Sequence, residues 1–309
     1  MAKVVTLMLN PSVDVMLEFD EFTKTKTNRV KKQTEKMGGK GLNVSLVAAS
    51  FGLDVCATGF IGNDKEQELT QILSNAGIKN SFLVVEGKTR TNYKFMDESD
   101  KTVTEANCHG FTVDADKLLE LERTLDVILA DADIFVLTGS IPKGVSTDFY
   151  AKCIKKANLK GIKTILDASG EALYKALCEK PYAIKPNIDE LSELVGKTLT
   201  EEQEIKSAMA SLNKQGVNLV AVSMGADGAI FSQDNKTVRG KTFDIEFKSA
   251  VGAGDSMVGA ICYSVAKKLP IERTARMSIA AGCITTSKPA TNLCTAEEVF
   301  TNEERVEIL

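Results

Sequence analysis

The run Val251-Gly252-Ala253-Gly254-Asp255-Ser256-Met257-Val258-Gly259-Ala260 sets one carboxylate immediately behind a loop with almost no side chains. Such a loop offers bare backbone N–H groups to an anion, and the apolar stretch after it reads as a helix whose positive end faces the same point. A phosphate would fit there. Asp255 would then stand where a base could take a proton from a hydroxyl attacking that phosphate. A glycine turn with Asp255 capping the N-terminus of a core helix is the structural alternative, because short motifs recur without function.

Other small polar clusters punctuate the chain. Asn10-Pro11-Ser12-Val13-Asp14 follows the first apolar run, so Asp14 would stand at a strand end and could accept hydrogen bonds from a polyol or satisfy its own turn. Gly38-Gly39-Lys40-Gly41-Leu42-Asn43 combines close backbone approach with a positive charge and an amide that can bond hydroxyls in both directions. Leu137-Thr138-Gly139-Ser140-Ile141-Pro142 and Asp167-Ala168-Ser169-Gly170 end strands with small polar residues. Lys185-Pro186-Asn187-Ile188-Asp189-Glu190 sets Asn187 and Glu190 three apart on a first helical turn, a spacing that suits a hydrated magnesium or a plain capping box. Ser223-Met224-Gly225-Ala226-Asp227-Gly228 would let a nucleotide lie on bare backbone or would turn a hairpin.

The elements that must carry these residues alternate. Short apolar runs at 4–9, 55–60, 134–138, 163–167, 182–185 and 218–223 predict strands. Helical periods are read at 41–51, 64–76, 146–158, 188–195, 202–215, 255–267 and 272–286. This is the rhythm of βαβ units and a doubly wound, mainly parallel sheet. Residues 13–36 and 81–107 break it: Phe82-Leu83-Val84-Val85, Arg90-Thr91-Asn92-Tyr93-Lys94-Phe95-Met96 and Thr102-Val103-Thr104 alternate like antiparallel strands. They predict a small accessory sheet serving as a lid over the crevice at the carboxyl ends of the parallel strands. One domain over 1–309 is expected, with that discontinuous lid and a homodimer joined through the lid's free edges.

Composition narrows the chemistry. With 309 residues, 43% hydrophobic and 26% charged, the chain can bury a sizeable core. A net charge of −4 without any basic run argues against a nucleic-acid partner, so an anionic substrate must be caught locally. Seven cysteines lack CxxC spacing, and His109 is the sole histidine, which excludes a multi-histidine metal site. The N-terminal segment is too strand-like for a signal peptide and no run of about eighteen apolar residues exists. A cytoplasmic enzyme without membrane partners is expected. There is no GxGxxG after the first strand, against a Rossmann dehydrogenase, and no GxxxxGK[ST] P-loop.

Taken in order, Gly38 to Asn43, Gly139 to Pro142, Lys185 to Glu190, Ser223 to Gly228 and Gly252 to Asp255 resemble the motifs of the ribokinase-like PfkB carbohydrate kinase family. The resemblance runs from Leu9 to about Asn292, and the family binds nucleotide phosphate without a P-loop. It implies a three-layer α/β/α domain with a mainly parallel central sheet and a small β-sheet lid. Within the family, Thr89-Arg90-Thr91-Asn92 with Lys94, and Asn107-Cys108-His109-Gly110-Phe111, are most similar to 1-phosphofructokinase. Asn10 to Asp14 and Asn28-Arg29-Val30 are as similar to tagatose-6-phosphate kinase, and Ala280 through Cys294 to the PfkB-type 6-phosphofructokinase.

The resemblance implies ATP-dependent phosphorylation of a ketohexose phosphate, first of all fructose 1-phosphate to fructose 1,6-bisphosphate. Asp255 would be the base, with the amides of Gly252, Ala253 and Gly254 as the anion hole. Asp14, Gly38, Gly39, Asn43, Asn92 and Ser140 would bind the sugar, and Lys40 and Arg90 the phosphate it already carries. Lys185, Asn187, Ser223, Gly225, Ala226 and Gly228 would hold the nucleotide, and Glu190 would meet magnesium through water. The reading from another class is a sugar- or nucleotide-binding sensor without turnover, which would have no need of Asp255.

Overall fold

The computed structural model describes residues 1–100, 102–289 and 292–309. The chain begins with β1 (Lys3–Met8), β2 (Ser12–Phe19), β3 (Lys32–Gly38) and α1 (Lys40–Ser50). It continues through β4 (Asp54–Gly62), α2 (Glu66–Asn75), β5 (Lys79–Val85), β6 (Arg90–Asp97) and β7 (Val103–Asn107). Next come α3 (Ala115–Ile128), β8 (Ile134–Thr138), α4 (Phe149–Leu159), β9 (Lys163–Asp167), α5 (Gly170–Leu177), β10 (Ala183–Ile184), α6 (Ile188–Val195) and α7 (Glu202–Lys214). The C-terminal third holds β11 (Leu219–Ser223), β12 (Ala229–Gln233), β13 (Lys236–Gly240), α8 (Ala253–Lys267), α9 (Ile271–Thr286) and α10 (Ala296–Asn302).

Among the described residues, nine strands form one sheet in the order β13-β12-β11-β10-β9-β8-β1-β4-β5. From β5 to β11 every pairing is parallel, while β12 and β13 are added antiparallel at one edge. Parallel strands need covering on both faces, so they read as unbroken apolar runs. In β1, Val4 and Met8 point into a core cluster with α1, α8 and α9, whereas Val5 and Leu7 join a second cluster with α3, α4 and α7. The result is three layers, α/β/α, as expected. β1 lies between β4 and β8, so consecutive connections leave it in opposite directions. Open α/β sheets place their ligands outside the carboxyl ends of the strands at such a switch.

The small sheet differs from expectation in two ways. Its order is β3-β2-β6-β7, and β2 runs parallel to β6 with Ser12 opposite Arg90 and Asp14 opposite Asn92; the other pairings are antiparallel. The segment Phe82–Val85 is not part of it. β5 pairs parallel with β4 as the edge strand of the large sheet. Phe82 and Val84 pack against one core cluster and Leu83 against the other, so its alternation reflects two covered faces rather than a solvent-facing hairpin. The small sheet is thus built from residues 12–38 and 90–107.

Candidate active site

The carboxyl ends of β1, β8, β9 and β11, the start of α8 and the inner face of the small sheet enclose a cavity of about 870 Å³. At or just beyond each of these strand ends stands a polar residue that lines the cavity: Asn10, Thr138, Asp167 and Ser223.

Asp255 occupies the first turn of α8 and is 8% exposed. Gly252 caps the helix at φ +80°, where a Cβ would also meet the Leu293 side chain at 2.7 Å, so only glycine makes the turn. No side chain caps this helix. The Ala253 N–H donates to the Ala250 carbonyl at 3.3 Å, which leaves the loop's anion-binding capacity chiefly to Gly252 and Gly254. The Asn43 amide of α1 donates to Asp255 Oδ2 at 2.7 Å and fixes the carboxylate. Burial pushes the Asp255 carboxyl up to about 6, with Asp167 adding to the rise while Lys40, Asn43 and Lys185 restrain it.

Two lysines stand beside it. Lys40, at the start of α1, lies 3.2 Å from Asp167 Oδ2, and the buried Lys185, just after β10, lies 3.4 Å from Asp167 Oδ1. Lys185 Nζ is 3.1 Å from where a Cβ on Gly254 would be, which sets the ammonium against the anion loop. The attraction of Asp167 raises the Lys40 pKa above its ordinary value. Burial opposes ionisation of Asp167, but Lys185 and Lys40 together hold its carboxyl below the usual range.

On the lid side, Asp14 accepts from Ser12 Oγ at 2.9 Å, Asn92 Nδ2 at 3.2 Å and Lys94 Nζ at 3.5 Å. Gly38 is required here, since a Cβ would come within 2.8 Å of Asp14 Oδ2; it lines a small side pocket rather than the main cavity. The Arg90 guanidinium donates to the carbonyls of Asn10, Pro11 and Cys108, so backbone holds it over the crevice. Asn10 Nδ2 donates to Ser140 Oγ at 3.2 Å. Buried oxygens on Asn10 and Asn92 have no hydrogen-bond partner in the protein, as acceptors awaiting hydroxyl donors would.

Around the far end, Lys185, Asn187, Glu190, Ser223 and Gly225 line the same cavity. Asn187 and Glu190 form a reciprocal capping box: Glu190 N–H donates to Asn187 Oδ1 at 2.7 Å and Asn187 N–H to Glu190 Oε2 at 2.9 Å. Both readings of the spacing therefore coexist, a helix cap that also faces the cavity. Ala226 and Gly228 do not line it. Gly228 has φ +87° and a Cβ there would overlap the Gly240 carbonyl at 2.0 Å, so this glycine serves the close approach of chain segments around β12 and β13. Sequence reasoning gave no role to Asp167, Lys94, Glu105 or Asn107, all of which line the cavity. Polar residues at every second position of β6, Arg90, Asn92 and Lys94, were the available signal for one of them.

Among the described residues, no group of three or more His, Cys, Asp and Glu could hold a metal ion. No helix among them is long and apolar enough to cross a membrane.

Comparison with known proteins agrees with this geometry. The model of the pfkB family carbohydrate kinases matches residues 8–298. Tagatose-6-phosphate kinase of Staphylococcus epidermidis is 33% identical over 99% of this chain and 100% of its own length. The 1-phosphofructokinase of Vibrio cholerae is 30% identical over 99% of this chain and 96% of its own. The crystal structure of phosphofructokinase-2 from Escherichia coli in complex with substrates and products superposes with a TM-score of 0.91 at 28% identity, covering 98% of this chain and 99% of that one. The chain belongs to the PfkB family of carbohydrate kinases and is an ATP-dependent phosphosugar kinase of the hexose-phosphate group.

Proposed function

We propose that the enzyme transfers the γ-phosphoryl group of ATP to fructose 1-phosphate, giving fructose 1,6-bisphosphate. The observation that supports a phosphosugar is that Asp255 and the lid cations Arg90 and Lys94 line one cavity, so it can be gripped at one end and phosphorylated at the other; the segments Thr89 to Asn92 with Lys94 and Asn107 to Phe111, most similar to 1-phosphofructokinase, put fructose 1-phosphate first. Tagatose 6-phosphate is the second reading, favoured by the 33% identical relative of that name. Fructose 6-phosphate requires the same two-ended grip.

Asp255, buried and ionised at neutral pH, accepts the proton of the attacking hydroxyl, and Asn43 aims its carboxylate. The Gly252 and Gly254 amides and the dipole of α8 stabilise charge on the transferring group. Asp14, Asn92 and Ser140 orient the sugar hydroxyls, with Gly39 leaving room for them. Arg90 binds the phosphate already present; Lys40, assigned there from the sequence, lies beside Asp167 and serves the transferring group as readily. Lys185, Asn187, Ser223 and Gly225 accommodate the nucleotide. Magnesium on the nucleotide phosphates would be held through water by Glu190 and would neutralise their charge.

The test is one panel of initial rates of ADP release with magnesium-ATP against fructose 1-phosphate, tagatose 6-phosphate, fructose 6-phosphate and the free sugars. The highest kcat/KM is expected for fructose 1-phosphate. Preference for a free sugar would dismantle the phosphate grip, and no turnover of any would leave the sensor reading. Asp255→Asn should lower kcat by about 10²–10⁴-fold with nucleotide binding retained.

A further inference from the structure

The roles above leave Asp167 without a task, although it is 1% exposed and lines the cavity. Its two oxygens point to different lysines: Oδ2 to Lys40 of α1, with the Thr138 hydroxyl of β8 at 3.5 Å, and Oδ1 to Lys185 after β10. Oδ1 has no well-formed hydrogen bond despite complete burial. A carboxylate so placed is costly unless the ammoniums stay on it. In return it holds two like charges together beside the anion loop, where alone they would repel and turn to solvent.

We propose that Asp167 is a positioning residue, whose carboxylate fixes the Lys40 and Lys185 ammoniums on the transferring phosphoryl and keeps them from pairing with Asp255. This rests on the kinase reading in which Asp255 is the base. The charged groups facing Asp255 are Lys40 from α1, Asp167 from β9 and Lys185 from the segment after β10. Loss of the Asp167 charge leaves two cations facing one buried carboxylate. Asp255 then ionises more easily and becomes a weaker base, while the lysines lose their anchor.

The experiment compares kcat and the pH profile of kcat/KM between pH 5 and 8 in wild type, Asp167→Asn and Asp167→Glu, with folding checked by circular dichroism. Phosphate titrations of the substrates are common to all three and cancel. For Asp167→Asn, kcat is expected to fall about 100-fold, the scale of a small misplacement of charged groups, and the acid limb to move to lower pH. Asp167→Glu keeps the charge but displaces it, so its limb should stay at the wild-type position while kcat falls about 10-fold. An Asp167→Asn limb coincident with wild type, with or without a raised magnesium requirement, overturns the proposal. If Asp167→Asn does not fold, an Asp167→Glu kcat within about twofold of wild type overturns it instead. Wild type that turns over no phosphosugar would overturn the kinase reading itself, a result distinct from variants that behave like wild type.

Discussion

A buried carboxyl pushed up to about 6 has a consequence for stability as well as for chemistry. Between the ordinary carboxylate range and pH 6 the folded state holds a proton at Asp255 that the unfolded chain has released, so stability falls as pH rises through that window. At pH 8 the penalty is on the order of 3 kcal/mol, with the Asn43 hydrogen bond already included, and at pH 4 it has largely vanished. Asp255→Asn removes the ionisation. Its Tm relative to wild type should therefore improve from about pH 4 to pH 6.5 in thermal melts and level off above that, even as turnover collapses. A Tm difference independent of pH would mean that Asp255 is not buried as an ionising group. Asp255 was legible in the sequence because its loop is contiguous, four residues carrying the whole idea. Asp167 was not, since its meaning lies in Lys40, 127 positions away, and in Lys185 from another loop.

Elements were read well where burial dictates composition. Strands Ile134–Thr138 and Lys163–Asp167 agree residue for residue because both faces are covered and the apolar run stops where the crevice starts. β5 misled because alternation looks the same whether its second face meets solvent or a second core. The β12 and β13 hairpin was passed over, although Asp234 and Asn235 both take positive φ, the turn chemistry that joins adjacent antiparallel strands. Helix α3 was likewise unread despite Leu121 and Leu125 on one face and an Asp114 cap on Lys117 N–H. Gly228 belongs to this scale. Gly228→Ala would force a Cβ into the Gly240 carbonyl at a left-handed φ, and a loss of about 2 kcal/mol or more is expected in urea unfolding. Because its side chain position points away from the cavity, KM for ATP should stay within about threefold of wild type. A large rise in KM without loss of stability would return Gly228 to the nucleotide pocket.

At the scale of the molecule, the inner face of the small sheet lines the crevice, so its orientation decides whether Asp14, Arg90 and Lys94 face Asp255. Its inner face carries those polar residues, whereas the opposite face sets Thr91, Tyr93 and Leu17, with the buried Val13 and Val15 beneath, around a second hollow of about 560 Å³ that Glu35, Asp64, Lys65 and Lys88 also line. Tyr93 is 39% and Val30 47% exposed, and β3 and β7 are unpaired edges. Free edges beside an exposed tyrosine and valine are the features that a second copy would cover. A dimer through this sheet would also brace it over the crevice, because the strands that bear Arg90 and Asp14 on one side bear Tyr93 and Val15 on the other. Sedimentation velocity at micromolar concentration is expected to give twice the chain mass, and Tyr93→Glu, which sets a charge in the middle of that face, the single chain mass. The released chain should keep its KM for ATP, whose proposed site is built from the large sheet's strand ends, and show a KM for the phosphosugar raised about tenfold, since in that proposal only the sugar side depends on the lid's orientation. An unchanged mass for Tyr93→Glu would remove this face from any interface, and a monomer with an unchanged sugar KM would mean that the lid holds its place without a partner.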